Sequence, residues 1–308
     1  MTAIDARQTT ESRPPTAQVA FVWGATLLIS PLPNIIWQEL IALPTIWLFW
    51  SKMILLAALI LLGFVWDVAR PLRRYFVVFL VLYGAEELMG RLGRTPLWQG
   101  WFGGVGVSFA VGMLGQQLRR LLVAFIMIIA LFLLKRRRGG FFLDIGRLDA
   151  VAKPVKWLGM DRPVSWARFG WILAGCISLG TLVFLAIAGR PSLRLVGAAL
   201  PLLPAVLLLA TMNAFSEELN YRASLLATLE PVVGRQQSLL LTAAVFGLAH
   251  FYGVPYGVIG VIMSGFLGWI LGKSMLETRG MFWAWFIHFC QDVLIFSFMA
   301  IGSITPGG

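Results

Sequence analysis

The stretch VGAALPLLPAVLLLATMNAFSEELNYRASLLATL, residues 196–229, decides what kind of protein this is. Its first 21 residues hold no ionisable group, and then Glu217, Glu218 and Arg222 follow within six positions. A helix that crosses a bilayer needs about 20 mostly apolar residues. An ionisable side chain at that depth is expensive and is kept where it is paired or does chemistry. The segment therefore reads as a membrane helix carrying a polar site.

The rest of the 308-residue chain agrees: 59% of residues are hydrophobic, 13% are charged, and the mean hydropathy is +0.83. A soluble domain carries about 25% charged residues. Continuous apolar runs, rather than alternating ones, exclude an outer-membrane barrel. The expected fold is all-α, a polytopic bundle of about 8–9 membrane segments with its polar site in the C-terminal half. The segments are expected at about 19–30 (extended by a Pro-broken stretch to about 45), 46–66, 75–90, 121–134, 169–188, 196–229, 236–252, 256–273 and 281–302. A Gly-rich stretch at 99–115 is expected to be interfacial or re-entrant. Residues 135–167, with Pro154 and Pro163, form the one sizeable polar connection. They divide an N-terminal region, 1–167, from a C-terminal core, 168–308.

The net charge of +11 does not indicate nucleic acid. Its basic residues come in short clusters between apolar runs, at Arg70/Arg73/Arg74, Arg119/Arg120 and Lys135–Arg138. That is membrane-flanking charge, which concentrates on the cytoplasmic side. An inside N-terminus then puts Arg70–Arg74, Lys273 and Arg279 inside, and Lys135–Arg138 too if 99–115 does not cross. The first ~18 residues lack the basic start and short apolar core of a cleaved signal peptide, so the first apolar segment is expected to remain as a helix. Cys176 and Cys290 both lie in apolar runs and imply no disulfide.

The polar groups of the C-terminal third form a pattern. Glu218 and Arg222 are four apart on a helix and can pair. Glu217 lies about 100° around the helix and five residues from Arg222, so it is the less neutralised carboxylate, free to act on a water. Phe246-Gly-Leu-Ala-His250 ends the next segment, with Phe246 placed to pack on the imidazole and Gly247 and Ala249 small enough for a neighbouring helix to approach. In the last segment Asp292 lies one turn beyond His288, where a carboxylate can fix the ring's tautomer. These are the only two histidines in the chain. Their depths, roughly 20 Å for His250 and 10 Å for His288 at 1.5 Å per residue, let a helix tilt bring them together. Glu86-Glu87-Leu-Met-Gly-Arg91 repeats the Glu-Glu-x-x-x-Arg spacing with no histidine after it in its half, and reads as a structural copy.

In order and spacing, Glu217-Glu218-x-x-x-Arg222, Phe246-x-x-x-His250 and His288-x-x-x-Asp292 resemble the motif set of the CPBP intramembrane proteases, the type II CAAX prenyl endopeptidases and bacterial Abi proteins. The resemblance covers about 195–302. It implies that Glu217 and His250 activate a water that attacks a peptide carbonyl, and that His288 and Asp292 hold the oxyanion or the water, with Glu218, Arg222 and Phe246 supporting. Ala223 stands where the family usually has Gly, and Asp292 where it often has Asn. The expected partners are the bilayer and a membrane-embedded or lipidated peptide, and the expected location is a bacterial inner membrane. No cofactor is expected; a zinc ion, if one bound, would fall to Glu217, His250 and His288. The alternatives are a proton-coupled transporter, since intramembrane Glu and His also mark proton relays, and a non-catalytic immunity or scaffold protein. Clustering of the carboxylates in one half, with no repeat beyond the Glu86 echo, argues against transport.

Overall fold

A computed structural model describes residues 14–41, 46–104, 106–134 and 136–304. Among these residues twelve α-helices run in chain order: α1 Thr16–Ile29, α2 Leu32–Ile41, α3 Ile46–Val65, α4 Arg73–Gly93, α5 Pro96–Phe102, α6 Phe109–Leu133, α7 Trp166–Gly189, α8 Leu193–Ala199, α9 Leu203–Glu217, α10 Ser224–Ala249, α11 Val258–Thr278 and α12 Phe282–Ser303. The polar N-terminus up to residue 13, the end of the Pro-broken stretch at 42–45 and Lys135 of the basic cluster lie outside the described residues.

The protein is an all-α bundle, but with fewer crossings than expected. Among the described residues six helical runs are long and apolar enough to span, or seven if α1 and α2, bent by 46°, count as one. Two changes make the difference: the expected 75–90 segment is α4, whose Arg73, Arg74, Glu86, Glu87 and Arg91 keep it out of the count, and two other expected segments join into one run. The 99–115 stretch divides between the seven-residue α5 and the first turns of α6. The 121–134 segment is the end of α6, whose 25 residues begin 12 positions earlier. Residues 196–229 and 236–252 belong to one compound run, Leu193–Ala249, jointed at Gly234. Gly234 has φ +74°, a conformation that a residue without Cβ adopts at little cost.

The continuity of α6 carries a second correction. Arg119 and Arg120 are not membrane-flanking; they lie in the middle of a helix with apolar residues on both sides. A cation is tolerated there because a carboxylate on another helix meets it, as the site geometry below describes.

One hydrophobic core draws on both halves of the chain. Val22, Leu56, Phe79, Met127, Leu226, Ile270 and Ile287, from seven different helices, are all buried in it. The polar connection folds back on the C-terminal helices. A two-stranded ribbon, β1 Val151–Ala152 with β2 Val164–Ser165, is held there. The Arg147 N–H donates to the Thr278 carbonyl and the Met281 N–H to the Asp144 carbonyl, each at 2.8 Å. Broad apolar surfaces face outward, as at Leu179, Leu182, Ile259 and Ile262, where lipid takes the place of water.

Lipid is as apolar as leucine, so helix association in a membrane rests on close packing and polar ties rather than on burial from water. The α10–α11 contact shows this. A Cβ on Gly247 would stand 2.5 Å from the Val261 carbonyl oxygen and 3.1 Å from Gly265 Cα. The expectation that Gly247 permits close approach is met by backbone against backbone. Gly247→Ala should therefore destabilise the protein by about 1–3 kcal/mol, the usual cost of overpacking, seen as a lower thermal midpoint of the purified protein in detergent. An unchanged midpoint would show that this contact does not set the packing.

Candidate functional site

The site is built around the joint between α9 and α10. The backbone there widens into a π-helical stretch over Glu218–Ala223. Such single-turn widenings are uncommon and gather at functional positions, because they re-aim side chains relative to the flanking α-helices. Hydroxyls flank it: Ser216 Oγ donates to the Met212 carbonyl and Ser224 Oγ to the Asn220 carbonyl, both at 2.6 Å.

Glu218 and Arg222 form the expected pair, both side chains fully buried, with Arg222 Nη1 donating to Glu218 Oε1. The guanidinium also stacks on Phe246, its carbon 4.4 Å from the ring centroid, a favourable face for a desolvated cation. Small residues make room for it: a Cβ on Gly268 would approach Phe246 to 3.1 Å and Arg222 Nη2 to 3.4 Å.

Glu217 is not the unneutralised carboxylate that local spacing suggests. Arg120, from the middle of α6, donates from Nη1 to Glu217 Oε1 at 2.6 Å and also bonds Asn213 Oδ1. Asn213 donates in turn to Asp292 Oδ2 at 3.0 Å. No reading of residues near Glu217 could find this cation, because its partner lies 97 residues away in sequence. The neutralisation is one-sided. The other oxygen, Glu217 Oε2, faces His288 Nε2 at 3.7 Å and His250 Nε2 at 4.0 Å.

Hydrogen bonds fix how both rings are presented. His250 Nδ1 lies 2.8 Å from the Phe246 carbonyl oxygen, which only accepts, so the proton sits on Nδ1 and Nε2 turns to Glu217. His288 Nδ1 lies 2.8 Å from Glu218 Oε1, and its Nε2 likewise faces Glu217. The carboxylate that orients His288 is thus Glu218. Asp292, expected in that role, stands 3.7 Å from His288 Nε2 and is tied to Asn213 instead. Phe246 packs on both rings, at 4.4 Å from His250 and 6.1 Å from His288.

These groups border a cavity of about 320 Å³, whose walls include Glu86, Arg120, Glu217, Tyr221, Phe246 and His250. Exposed Tyr252 also lines it, so the cavity reaches the surface beside the 250–257 loop. Glu86 was read as part of a structural copy, yet it lines this cavity and accepts a hydrogen bond from the Tyr221 hydroxyl. Its neighbour Glu87 pairs with Arg91 at 2.8 Å on the outside. The two Glu-Glu-x-x-x-Arg stretches therefore use their residues alike: the second Glu meets the Arg, and the first turns to the cavity.

Among the described residues no group of three or more His, Cys, Asp or Glu side chains is spaced to hold a metal ion. Glu217, His250 and His288 converge, but a guanidinium already occupies one oxygen of that carboxylate and sets a positive charge beside any cation placed there.

Residues 199–294 match the family model of the type II CAAX prenyl endopeptidase Rce1-like proteins. The match runs from the end of α8 to just past Asp292. It contains every side chain of the site described here except Glu86, Glu87, Arg91 and Arg120. No curated protein and no solved structure matches the chain. The segment that carries the polar site is thus similar to the type II CAAX prenyl endopeptidase Rce1-like proteins, and its apolar helices make this an integral membrane protein.

The buried pair gives a test that needs no substrate. Arg222→Leu strands the Glu218 carboxylate in an apolar site and should cost about 3–5 kcal/mol, while Arg222→Leu/Glu218→Leu, which removes both charges, should recover more than half of the loss in thermal midpoint. A double variant as unstable as the single one would show that the pair is not what holds this joint.

Proposed function

We propose that this protein is an intramembrane endopeptidase in which Glu217 and His250 activate a water against a peptide bond of a membrane-anchored or lipidated substrate, near the substrate's C-terminus. The observation that carries the reading is the divided carboxylate: Arg120 occupies Glu217 Oε1, and Oε2 is left facing two imidazole nitrogens. A general base needs one free acceptor held in fixed orientation, and a low-dielectric surrounding strengthens its action on a water.

In this mechanism Glu217 Oε2 takes a proton from water while unprotonated His250 Nε2 orients it. The resulting hydroxide adds to the peptide carbonyl carbon. The oxyanion that develops is met by His288, whose Nδ1 is committed to Glu218 and whose Nε2, carrying a proton, donates. Asp292 and Asn213 steady that side. Glu217 then returns its proton to the leaving amine as the C–N bond breaks, and the carboxyl product departs. No metal takes part. The lipid-facing surface and the cavity opening beside Tyr252 suit a substrate that arrives within the bilayer, and a bacterial inner membrane is the setting we infer.

Quantitative analysis of protein termini in membranes of the source cell tests this. Termini present in wild type should vanish with Glu217→Gln, by a turnover loss of about 10²–10⁴ as for other general bases, and persist with Glu87→Gln, whose side chain pairs on the outside. Glu86→Gln is no neutral control, since that side chain lines the cavity, and it should show intermediate loss. A chelator should leave cleavage by the purified enzyme unchanged. Identical termini in wild type and a folded, expressed Glu217→Gln would move the assignment to transport or scaffolding; loss of cleavage on chelation would return the metal to the mechanism.

A further inference from the structure

Apart from the cavity, a larger groove of about 790 Å³ runs between α10 and α11. Its floor is made by small residues, Ala243, Ala244, Gly247 and Gly265, where the helices touch backbone to backbone. Aromatic rings wall it. Trp157, from the polar connection, stands over α11 with its ring 5.2 Å from Trp269 and 5.9 Å from Phe266, and Trp23 of α1 closes the other side, its indole N–H donating to Gln237 Oε1 at 2.8 Å. The groove follows α10 from Arg235 to Gly247, twelve residues or about 18 Å at 1.5 Å each, which is close to one leaflet of a ~30 Å hydrocarbon core.

At its Arg235 end the groove opens into a second space of about 440 Å³, sharing Lys153, Arg235 and Glu277 with it. Around the two spaces stand four basic side chains, Arg147, Lys153, Arg235 and Lys273, against two acidic ones, Asp149 and Glu277. Glu277 is already engaged, receiving Lys273 Nζ at 2.5 Å and the Trp166 indole N–H at 2.8 Å. Arg235 is spent on the Leu276 carbonyl and on Glu230 at 3.5 Å. Arg147 and Lys153 are exposed and pair with no carboxylate among the described residues. A leaflet-length apolar groove thus ends at two uncommitted cations beside one uncommitted carboxylate, Asp149.

We propose that this groove binds an anionic phospholipid of the surrounding bilayer, one acyl chain lying along α10 under Trp157 and the phosphate meeting Arg147 and Lys153. Basic pockets between membrane helices recognise lipid headgroups in this way. The site is separate from the Glu217 cavity, and its occupancy does not depend on the protein being a protease.

Native mass spectrometry of the full-length protein in detergent, titrated with phosphatidylglycerol or with phosphatidylcholine of the same chains, reads this directly. Wild type should retain one phosphatidylglycerol in preference to phosphatidylcholine. Arg147→Gln and Lys153→Gln should each weaken that preference about fivefold, the ~1 kcal/mol that a basic residue at a membrane surface contributes. Ala244→Phe, which fills the groove, should abolish retention of both lipids; the two charge variants lie on the surface and keep the test valid if this one fails to fold. Equal retention of both lipids by wild type, or a preference that survives the loss of both cations, would overturn the assignment. So would displacement of the bound lipid by a farnesylated peptide, which would give the groove to the lipid chain of a substrate instead.

Discussion

A charge inside an apolar bundle must find its counter-charge within the protein, and most of this architecture follows from meeting that requirement twice within one turn. Glu218 meets it locally, through Arg222 four residues on. Glu217 meets it across the molecule, through Arg120 of α6. Unpaired, each carboxylate would be a heavy liability at membrane depth. The two solutions have different consequences. The local pair is sealed, stacked on Phe246 and given to orienting His288. The long-range pair takes one oxygen of its carboxylate and leaves the other exposed to the cavity, so the same contact that makes Glu217 tolerable also aims it.

Close packing is what lets these charges stay dry. Arg222 is a long side chain with no exposure, stacked on Phe246, and Gly268 of α11 leaves room for that ring, since a Cβ there would come within 3.1 Å of Phe246 Cδ1; Gly272 of α11 likewise admits Leu239, which a Cβ would meet at 2.7 Å. The same helix meets α10 through Gly247 and Gly265, so the small-residue face of α11 serves both the interhelical contact and the ion pair. His250, at the end of α10, and His288, in the second turn of α12, are then carried to the same oxygen of Glu217 by helices whose spacing those glycines set.

Much of this was legible in the sequence, and the parts that were not share a cause. The apolar runs announce the bundle because a membrane imposes length and composition together. The Glu218–Arg222 pair, the stacking of Phe246 on His250 and the close approach at Gly247 are local consequences of helical spacing, and each is found. The continuity of α6 is not, because two arginines between apolar runs look the same from composition whether they sit at an interface or are neutralised inside. The membrane count fails elsewhere, at the charged α4, which is not among the spans, and at Gly234, where one jointed run looks like two helices. Asp292 looks like the partner of His288 because it lies one turn away, but Asn213 of α9 claims it and Glu218 claims the ring. Spacing reports partners on one helix and is silent about those on another.

The repeated Glu-Glu-x-x-x-Arg spacing shows how far the N-terminal half is committed to the site. Glu86 and Glu217 belong to helices α4 and α9, yet both line one cavity, with Tyr221 of the π-helical joint donating to the first and Arg120 of α6 to the second. The family match stops at the boundary of the C-terminal segment and includes neither Glu86 nor Arg120. A chain cut down to that segment would keep Glu217, both histidines and Asp292, and would lose the cation that neutralises one oxygen of Glu217. Without it, that carboxylate would stand inside the bundle without its counter-charge. The first half of the chain therefore does more than anchor the second, because it supplies the charge that neutralises one oxygen of Glu217.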